Sequence, residues 1–383
     1  MRVSKIIFTF FILLNSSLCI GQLNNSALEQ KLPVNPKNAN ELRFNLHVLG
    51  FSKNNEYFNN IADGYTLFGY HLNPRLTYFP SEFVRIEAGA LLQKDFGSSG
   101  YENIQPTFTI KIQKQNHAFL FGTLEGNLNH GYIEPLYDFE RVFTNRIENG
   151  IQYLLQSDRV KLDAWLEWSN MLYRAEDDQE DVFGGASIGL KLLEMDDKKG
   201  GGDSIRITLP VQFTAQHRGG QIDASELPLL TVANGALGLE IEKEYSKGIV
   251  HRIYTKNYLV GYKDFSNEYR YIYQDGYGYY LNAGIDTKYQ DVMLSYWEGN
   301  RYMANRGGQL YQAVSTTYKN AGYVEEKRRL LILRLMKDIR LMEGLDLTLR
   351  LEPVYDFNNP QLEFANSIYL TFDTGFFVAK PKR

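Results

Sequence analysis

Residues 160–168 read VKLDAWLEW. Val160, Leu162, Ala164, Leu166 and Trp168 share one parity, and Lys161, Asp163, Trp165 and Glu167 share the other. A period of two builds a strand with one oily face and one mostly charged face. On a soluble sheet the oily face packs into a core and the charges meet bulk water. In a membrane barrel the arrangement inverts, with oil against lipid and charge lining a lumen. Which face is wet decides the fold, and this stretch alone leaves both readings open.

Length and repetition decide between them. The same alternation begins at ELRFNLHVL (41–49) and returns in YHLNPRLTY (70–78), VRIEAGALLQ (84–93), SIRITLPVQFTAQ (204–216) and LDLTLRLE (345–352). Further runs cover 104–113, 118–127, 145–155, 183–193, 232–243, 249–262, 277–288, 292–299, 326–337 and 362–372. Soluble strands average about 5–6 residues, whereas membrane-crossing strands need about 9–11. Most of these runs fall in the second class.

The connections alternate as well. PSE, QKQN, QSDR, EYSKG and YQD are short, whereas 51–64, 94–103, 128–144, 174–182, 217–231, 263–276 and 300–325 are long. Short periplasmic turns and long outer loops produce this rhythm. GQLYQAVSTTY (308–318) could add a strand, but two periplasmic termini require an even number. Taking 300–325 as one long loop gives an all-β, transmembrane, antiparallel up-and-down β-barrel of about 16 strands, with fourteen or eighteen as alternatives. The barrel is expected over 41–377, after a lead at 22–40 and before a short tail at 378–383.

The N-terminus fits export. Arg2 and Lys5 precede an apolar run at 6–14, and Cys19-Ile20-Gly21 offers a small-residue cleavage site, so 1–21 reads as a signal peptide. A lipid anchor on Cys19 is the weaker reading, because Leu18 stands where such sites carry a small residue. The chain has one cysteine, so no internal disulfide supports the fold. Beyond the signal no apolar run reaches the roughly 18 residues of a spanning helix. A net charge of −4 gives no basic excess for nucleic acid.

The lumen parity carries the candidate functional residues. Arg43, His47, His71, Arg75, Arg85, Lys111, Arg334 and Arg350 form the basic pore-lining set, on strands that become neighbours when the barrel closes. Glu125, Glu148, Asp163 and Glu167 form the acidic set, joined by Glu134, Asp138 and Glu140 of the third long loop, NHGYIEPLYDFERVF. A basic wall facing an acidic loop would set up a transverse field that orients polar solutes. Mutual ion pairing that stiffens the wall is the alternative.

A signal peptide, sixteen alternating strands, short turns, long outer loops and a charged third loop together resemble the general porins of Gram-negative outer membranes. Gly21-Gln22 at the cleavage point and the Tyr- and Asn-rich strands look like Bacteroidetes exported proteins. The resemblance covers about residues 40–377 as architecture and carries over no functional residue. It departs at the C-terminus, where Phe372, Phe376 and Phe377 precede a tail, VAKPKR, rather than ending the chain.

The expected function is therefore an outer-membrane channel for passive or selective diffusion of small polar solutes. A loop-filled barrel serving surface interaction or envelope assembly is one alternative, and a membrane-embedded hydrolase another. A hydrolase would need an outward Ser or His near the lipid boundary, yet His47 and His71 fall on the lumen parity. The chain is expected not to be an enzyme and to carry no cofactor and no metal. EDDQED (176–181) could gather Ca²⁺ but reads better as a solvated loop. KKGGGD lacks the Gly-Lys-Ser/Thr end of a phosphate loop. The tyrosines of YRYIYQDGYGYY read as an aromatic girdle before a sugar platform. Expected partners are outer-membrane lipid, a small polar solute and the barrel-assembly machinery, with a homo-oligomer possible and no nucleic acid.

Overall fold

The computed structural model describes residues 25–30, 32–125, 130–174, 176–196 and 202–381. The expected signal peptide at 1–21 lies outside the described residues, as does most of the Gly-rich turn.

Sixteen antiparallel strands close into one barrel. They are β1 (Leu42–Glu56), β2 (Tyr65–Ser81), β3 (Val84–Asp95), β4 (Asn103–Lys114), β5 (His117–Thr123), β6 (Asn149–Gln156), β7 (Val160–Asn170) and β8 (Asp181–Asp196). The second half comprises β9 (Ser204–Arg218), β10 (Leu230–Glu244), β11 (Val250–Asp264), β12 (Asp275–Thr287), β13 (Asp291–Asn300), β14 (Lys327–Met342), β15 (Leu345–Asp356) and β16 (Leu362–Ala379). Every strand pairs with its chain neighbours, and β1 pairs with β16, from Leu42 opposite Ala379 to Glu56 opposite Phe364. Closure leaves no free edge, which a sheet in lipid requires. The start of β1 and the end of β16 lie at the short-turn end, which in such barrels is periplasmic.

Prolines sit where the ladder can spare a donor. Cross-strand pairing is interrupted beside Pro74 between β2 and β3, beside Pro210 between β9 and β10, and beside Pro353 between β14 and β15. Proline lacks the N–H that a continuous ladder would use.

The outward parity is oily and exposed, as at Leu166, Trp168, Phe213, Leu237, Leu259 and Leu370. The inward parity is not simply wet. Residues 130–148 and 301–326 fold into the lumen, where Tyr132, Leu136, Tyr137, Tyr302, Leu310 and Tyr311 pack against wall residues Trp165, Trp297, Tyr258, Tyr280, Leu330 and Val354. From the periplasmic end the lead enters too. Leu28 is fully buried among Leu49, Phe51, Phe139, Phe143 and Tyr369. Burying such a side chain is worth roughly 1.5–3 kcal/mol, so the insertions have their own apolar driving force.

Several strands run past their expected ends, as β1 does to Glu56 where 51–64 was expected as a loop, and three further boundaries bear on the lumen. β5 stops at Thr123 rather than running to 127, and β6 starts at Asn149 rather than 145, because the chain between them turns inward. β16 runs through Ala379, so the last ladder includes the first residues of the expected tail. Residues 308–318 form no wall strand; Gln309–Tyr311 is a short 3-10 turn within the inserted loop.

Candidate functional site

Each inserted segment is held by specific polar ties. Gln212 on β9 accepts from the Ile133 amide (3.0 Å) and donates to the Gly131 carbonyl (2.9 Å), while the Tyr132 hydroxyl donates to the Phe213 carbonyl (2.9 Å). His130 and Gly131 both adopt left-handed backbone, which turns the chain sharply into the barrel. The second insertion docks on the first: the Gly308 amide donates to the Glu134 carbonyl (2.8 Å), and the Tyr302 hydroxyl donates to the Pro135 carbonyl (3.0 Å). A short helix, α1 (Arg141–Thr144), then leads out toward β6.

Around these ties lies a buried charged cluster. His130 Nε2 lies 2.6 Å from Glu148 and Nδ1 lies 2.9 Å from Asp163. Gln152 donates to the other Asp163 oxygen (2.8 Å). Tyr137 hydrogen-bonds Glu148, and Arg306 joins Glu148 (3.4 Å) and Glu167 while donating to Ser169 Oγ (2.7 Å). Burial opposes the charged imidazole, but Asp163 and Glu148 outweigh it and push His130 up to about 10. With both ring nitrogens committed to carboxylates, His130 is a fixed imidazolium clamp and offers no lone pair for base catalysis.

The residues singled out from sequence sit on the lumen side, and most are in ion pairs; Arg85 and Lys111 with Glu125, and Arg334 with Glu134, join members of the set, while the other pairs reach outside it. Arg85 meets Glu87 (3.2 Å) and Glu125, and Lys111 meets Glu125 (2.6 Å). Although burial opposes it, these two cations hold Glu125 down to about 2. Arg334 meets Glu352 (2.9 Å) and Glu134, Arg75 meets Glu87 (3.4 Å), and Arg43 meets Glu41 (3.0 Å). Glu140 meets Lys53 (3.2 Å), a base not singled out. His47 bonds Asp373 (2.9 Å) and Arg146 (3.2 Å), His71 packs edge-on against Phe51, and Arg350 stacks over Phe139 and Tyr369 while bonding Asn25. Burial pushes Asp138 up to about 6. The pairing joins basic wall and acidic loop directly, in place of two separated charged faces.

A different constellation lies on the outer face of the barrel, at its loop-bearing end. On the register between β9 and β10, His217 stands opposite Thr231, and His217 Nδ1 lies 2.9 Å from Thr231 Oγ1. His217 shares the outward parity of Phe213 and is exposed at the loop-bearing end of the barrel. Ser266 Oγ accepts from the Thr231 amide (2.9 Å), and the Phe265 amide donates to the Thr231 carbonyl (2.7 Å), which fixes the threonine backbone. Gln179 ties the surrounding loops together, donating to the Leu227 carbonyl (3.0 Å) and accepting from Arg270 (2.5 Å). Exposed Leu227, Leu229 and Phe265 carry the oily surface past the pair. Sequence reading placed 217–231 in a loop and missed both residues. The signal was present, since Phe213, Ala215 and His217 continue one parity.

A family model described as lipid A 3'-O-deacylase-type matches residues 34–381. The chain belongs to the lipid A 3'-O-deacylase-type family. That membership overturns the expectation that the protein is not an enzyme, because the family is one of enzymes. The expectation erred by testing only lumen histidines as hydrolytic groups. No curated protein matches the chain. Among solved structures, OmpTdeltaL8, a loop L8 deletion mutant of an outer membrane protein of Vibrio cholerae, superposes with a TM-score of 0.50 at 11% identity, over 87% of this chain and 99% of that one. OpdO of Pseudomonas aeruginosa gives 0.49 at 13% identity over 88% and 98%. The first likeness supports the outer-membrane barrel fold and nothing finer.

A nucleophile and a base within hydrogen-bond reach of each other form one arrangement that cleaves an ester. Among the described residues, His217 with Thr231 is the one histidine bonded to an aliphatic hydroxyl.

Proposed function

We propose that this protein is an outer-membrane ester hydrolase that removes an acyl chain from a lipid A-type glycolipid, with Thr231 as nucleophile and His217 as general base. Position carries this reading. Such a substrate sits in the outer leaflet with its esters at headgroup depth. His47, His71 and His130 are buried in the lumen, and His117 and His251 lie at the periplasmic end. Only His217 is both outward and at the loop-bearing end. In the neutral tautomer with its proton on Nε2, Nδ1 accepts the Thr231 proton as Oγ1 attacks the ester carbonyl. The proton then passes to the departing sugar oxygen, and water, activated by the same imidazole, releases the fatty acid from the threonine ester.

The refolded protein, incubated with lipid A in mixed micelles, should release a fatty acid detectable by mass spectrometry. His217→Asn and Thr231→Val should each lower the rate by about 10²–10⁴, the usual worth of a positioned base. Full activity in both variants would move the site elsewhere, and no release from lipid A by wild type would remove the hydrolase reading.

The charged lumen supports a second reading, a selective channel for small polar solutes. The insertions at 130–148 and 301–326 count against it, since solute flow would require them to move. Planar-bilayer conductance separates the two.

A further inference from the structure

The barrel wall is not equally tall all round. β5 has seven residues and β6 eight, while their neighbours β4 and β7 have twelve and eleven. A membrane-crossing strand needs about 9–11. At about 3.3 Å per residue and a tilt of about 40°, β5 and β6 rise only about 18–20 Å, against an apolar band about 25 Å tall. The outward parity repeats the shortfall. β4 presents Ile104, Pro106, Phe108, Ile110 and Ile112, and β7 presents Val160, Leu162, Ala164, Leu166 and Trp168. β5 presents only Phe119 and Phe121 between His117 and Thr123, and β6 only Ile151, Tyr153 and Leu155 below Asn149.

The local sequence explains why the two strands stop. Gly122 and Gly150 stand opposite each other near their upper ends. Gly122 has a φ of 105°, a left-handed value that breaks an extended run, and a Cβ there would meet the Phe108 carbonyl oxygen at 2.1 Å. The Leu124 amide then donates to the Glu148 carbonyl (2.9 Å), and the chain leaves the wall for the lumen.

The top of this low wall is a polar sill. Thr123 Oγ1 accepts from the Phe108 amide (3.2 Å) and donates to Asn149 Oδ1 (3.0 Å). Beside the sill β4 climbs on, with exposed Ile104 and Pro106 on its outward face. Among the described residues, 103–107 pair only with β3. That ladder runs unbroken through Ala90 opposite Pro106, so the proline's missing N–H falls on the open side, the side to which the Phe108 amide also points. An edge blunted by proline is a poor template for another chain's strand. The sill itself has a free donor: among the described residues, the Asn149 amide nitrogen has no hydrogen-bond partner. Hydrocarbon offers it none, and an unanswered amide there is costly. A lipid whose polar linkage region reaches the sill supplies the acceptor.

We propose that the gap above Thr123 and Asn149 is a binding site for one outer-leaflet glycolipid of the lipid A type. Its ester- and hydroxyl-bearing linkage region meets the sill, and its acyl chains lie over exposed Phe108, Phe121 and Ile151. The wall is lowered only at the loop-bearing end, so the occupant comes from the outer leaflet. The site lies on different strands from the His217–Thr231 pair and does not depend on the hydrolase reading.

The test reconstitutes the full chain in bilayers of phosphatidylethanolamine and lipid A, extracts it in mild detergent and weighs it by native mass spectrometry. Wild type should retain one lipid A molecule per barrel. Thr123→Val/Asn149→Leu, which keeps side-chain size and removes the polar atoms, should retain several-fold less at unchanged heat-modifiable mobility. If that variant does not assemble, Ile104→Trp supplies the readout: an indole placed over the gap from an exposed position should also lower retention several-fold. His217→Asn should retain as much as wild type, so failure of the hydrolase reading and failure of this site are read separately. No lipid A on wild type, phosphatidylethanolamine or a second chain in its place, undiminished retention in the sill and Ile104 variants, or loss of the lipid in His217→Asn overturns the proposal.

Discussion

Trp165 lies flat on His130, with ring centroids 4.1 Å apart and planes 10° from parallel. The contact joins the wall strand β7 to the inserted loop and accounts for an aromatic residue on the charged parity. It also places an imidazolium on an indole face, a favourable cation–π arrangement. Because His130 is held at about 10, against an ordinary value near 6.5, its contribution has a defined pH window. The folded state keeps the proton that the unfolded chain loses, so this stabilisation is complete below about pH 6.5 and drains away as pH rises to about 10. In ¹⁵N-histidine NMR of the barrel, assigned with His130→Gln, both ring nitrogens of His130 should remain protonated at pH 8. A titration midpoint near 6.5 would refute the clamp.

Arg306 ties the two insertions to the wall through Glu148 and Glu167. Replacing it by methionine strands the buried Glu167 carboxylate, while Glu148 keeps His130 and Tyr137; removing one partner of a buried pair costs about 3–5 kcal/mol. Arg306→Met should therefore make residues 301–326 susceptible to protease added outside, while the strands stay protected. Adding Glu167→Gln should recover part of the loss. Equal damage in the single and double variants would show that the ion pair carries little of the anchoring.

Much of this molecule was legible as sequence because one periodicity governs it. The strand number, the lipid-facing set and the inward position of residues such as Arg85, Asp163 and Arg334 all follow from parity. What parity does not encode is contact across the lumen. Glu134 reaches Arg334 from a loop 200 residues away in the chain, and no local pattern announces that pairing. The inward fold of 130–148 likewise depends on Gln212 and Trp165, which meet the loop only after closure. His217 was missed for a smaller reason: the alternation was ended at Gln216, one residue before it became informative.

The filled lumen makes a direct electrical prediction. Wild type in planar bilayers should show little conductance, because Tyr302, Leu310 and Tyr311 occupy the space enclosed by β10–β15. Deleting 303–324 should raise single-channel conductance several-fold without loss of heat-modifiable mobility. Equal conductance before and after deletion would mean that this loop does not occlude the path.

The lead segment should be as firmly seated as the loops. Leu28 is fully buried, the Thr371 hydroxyl donates to the Ala27 carbonyl (2.8 Å), and Arg350 bonds the Asn25 side chain. Leu28→Ala removes buried methyl groups beside Leu49, Phe143 and Tyr369, at a cost of about 2–5 kcal/mol. Leu28→Asp adds an unpaired charge there. Because the lead contributes no strand to the barrel, the loss should appear as local release and leave the sheet intact. A protease supplied from the periplasmic side should cut within 25–32 fastest in Leu28→Asp, more slowly in Leu28→Ala and slowest in wild type. Equal cutting of all three would show that Leu28 does not anchor the lead.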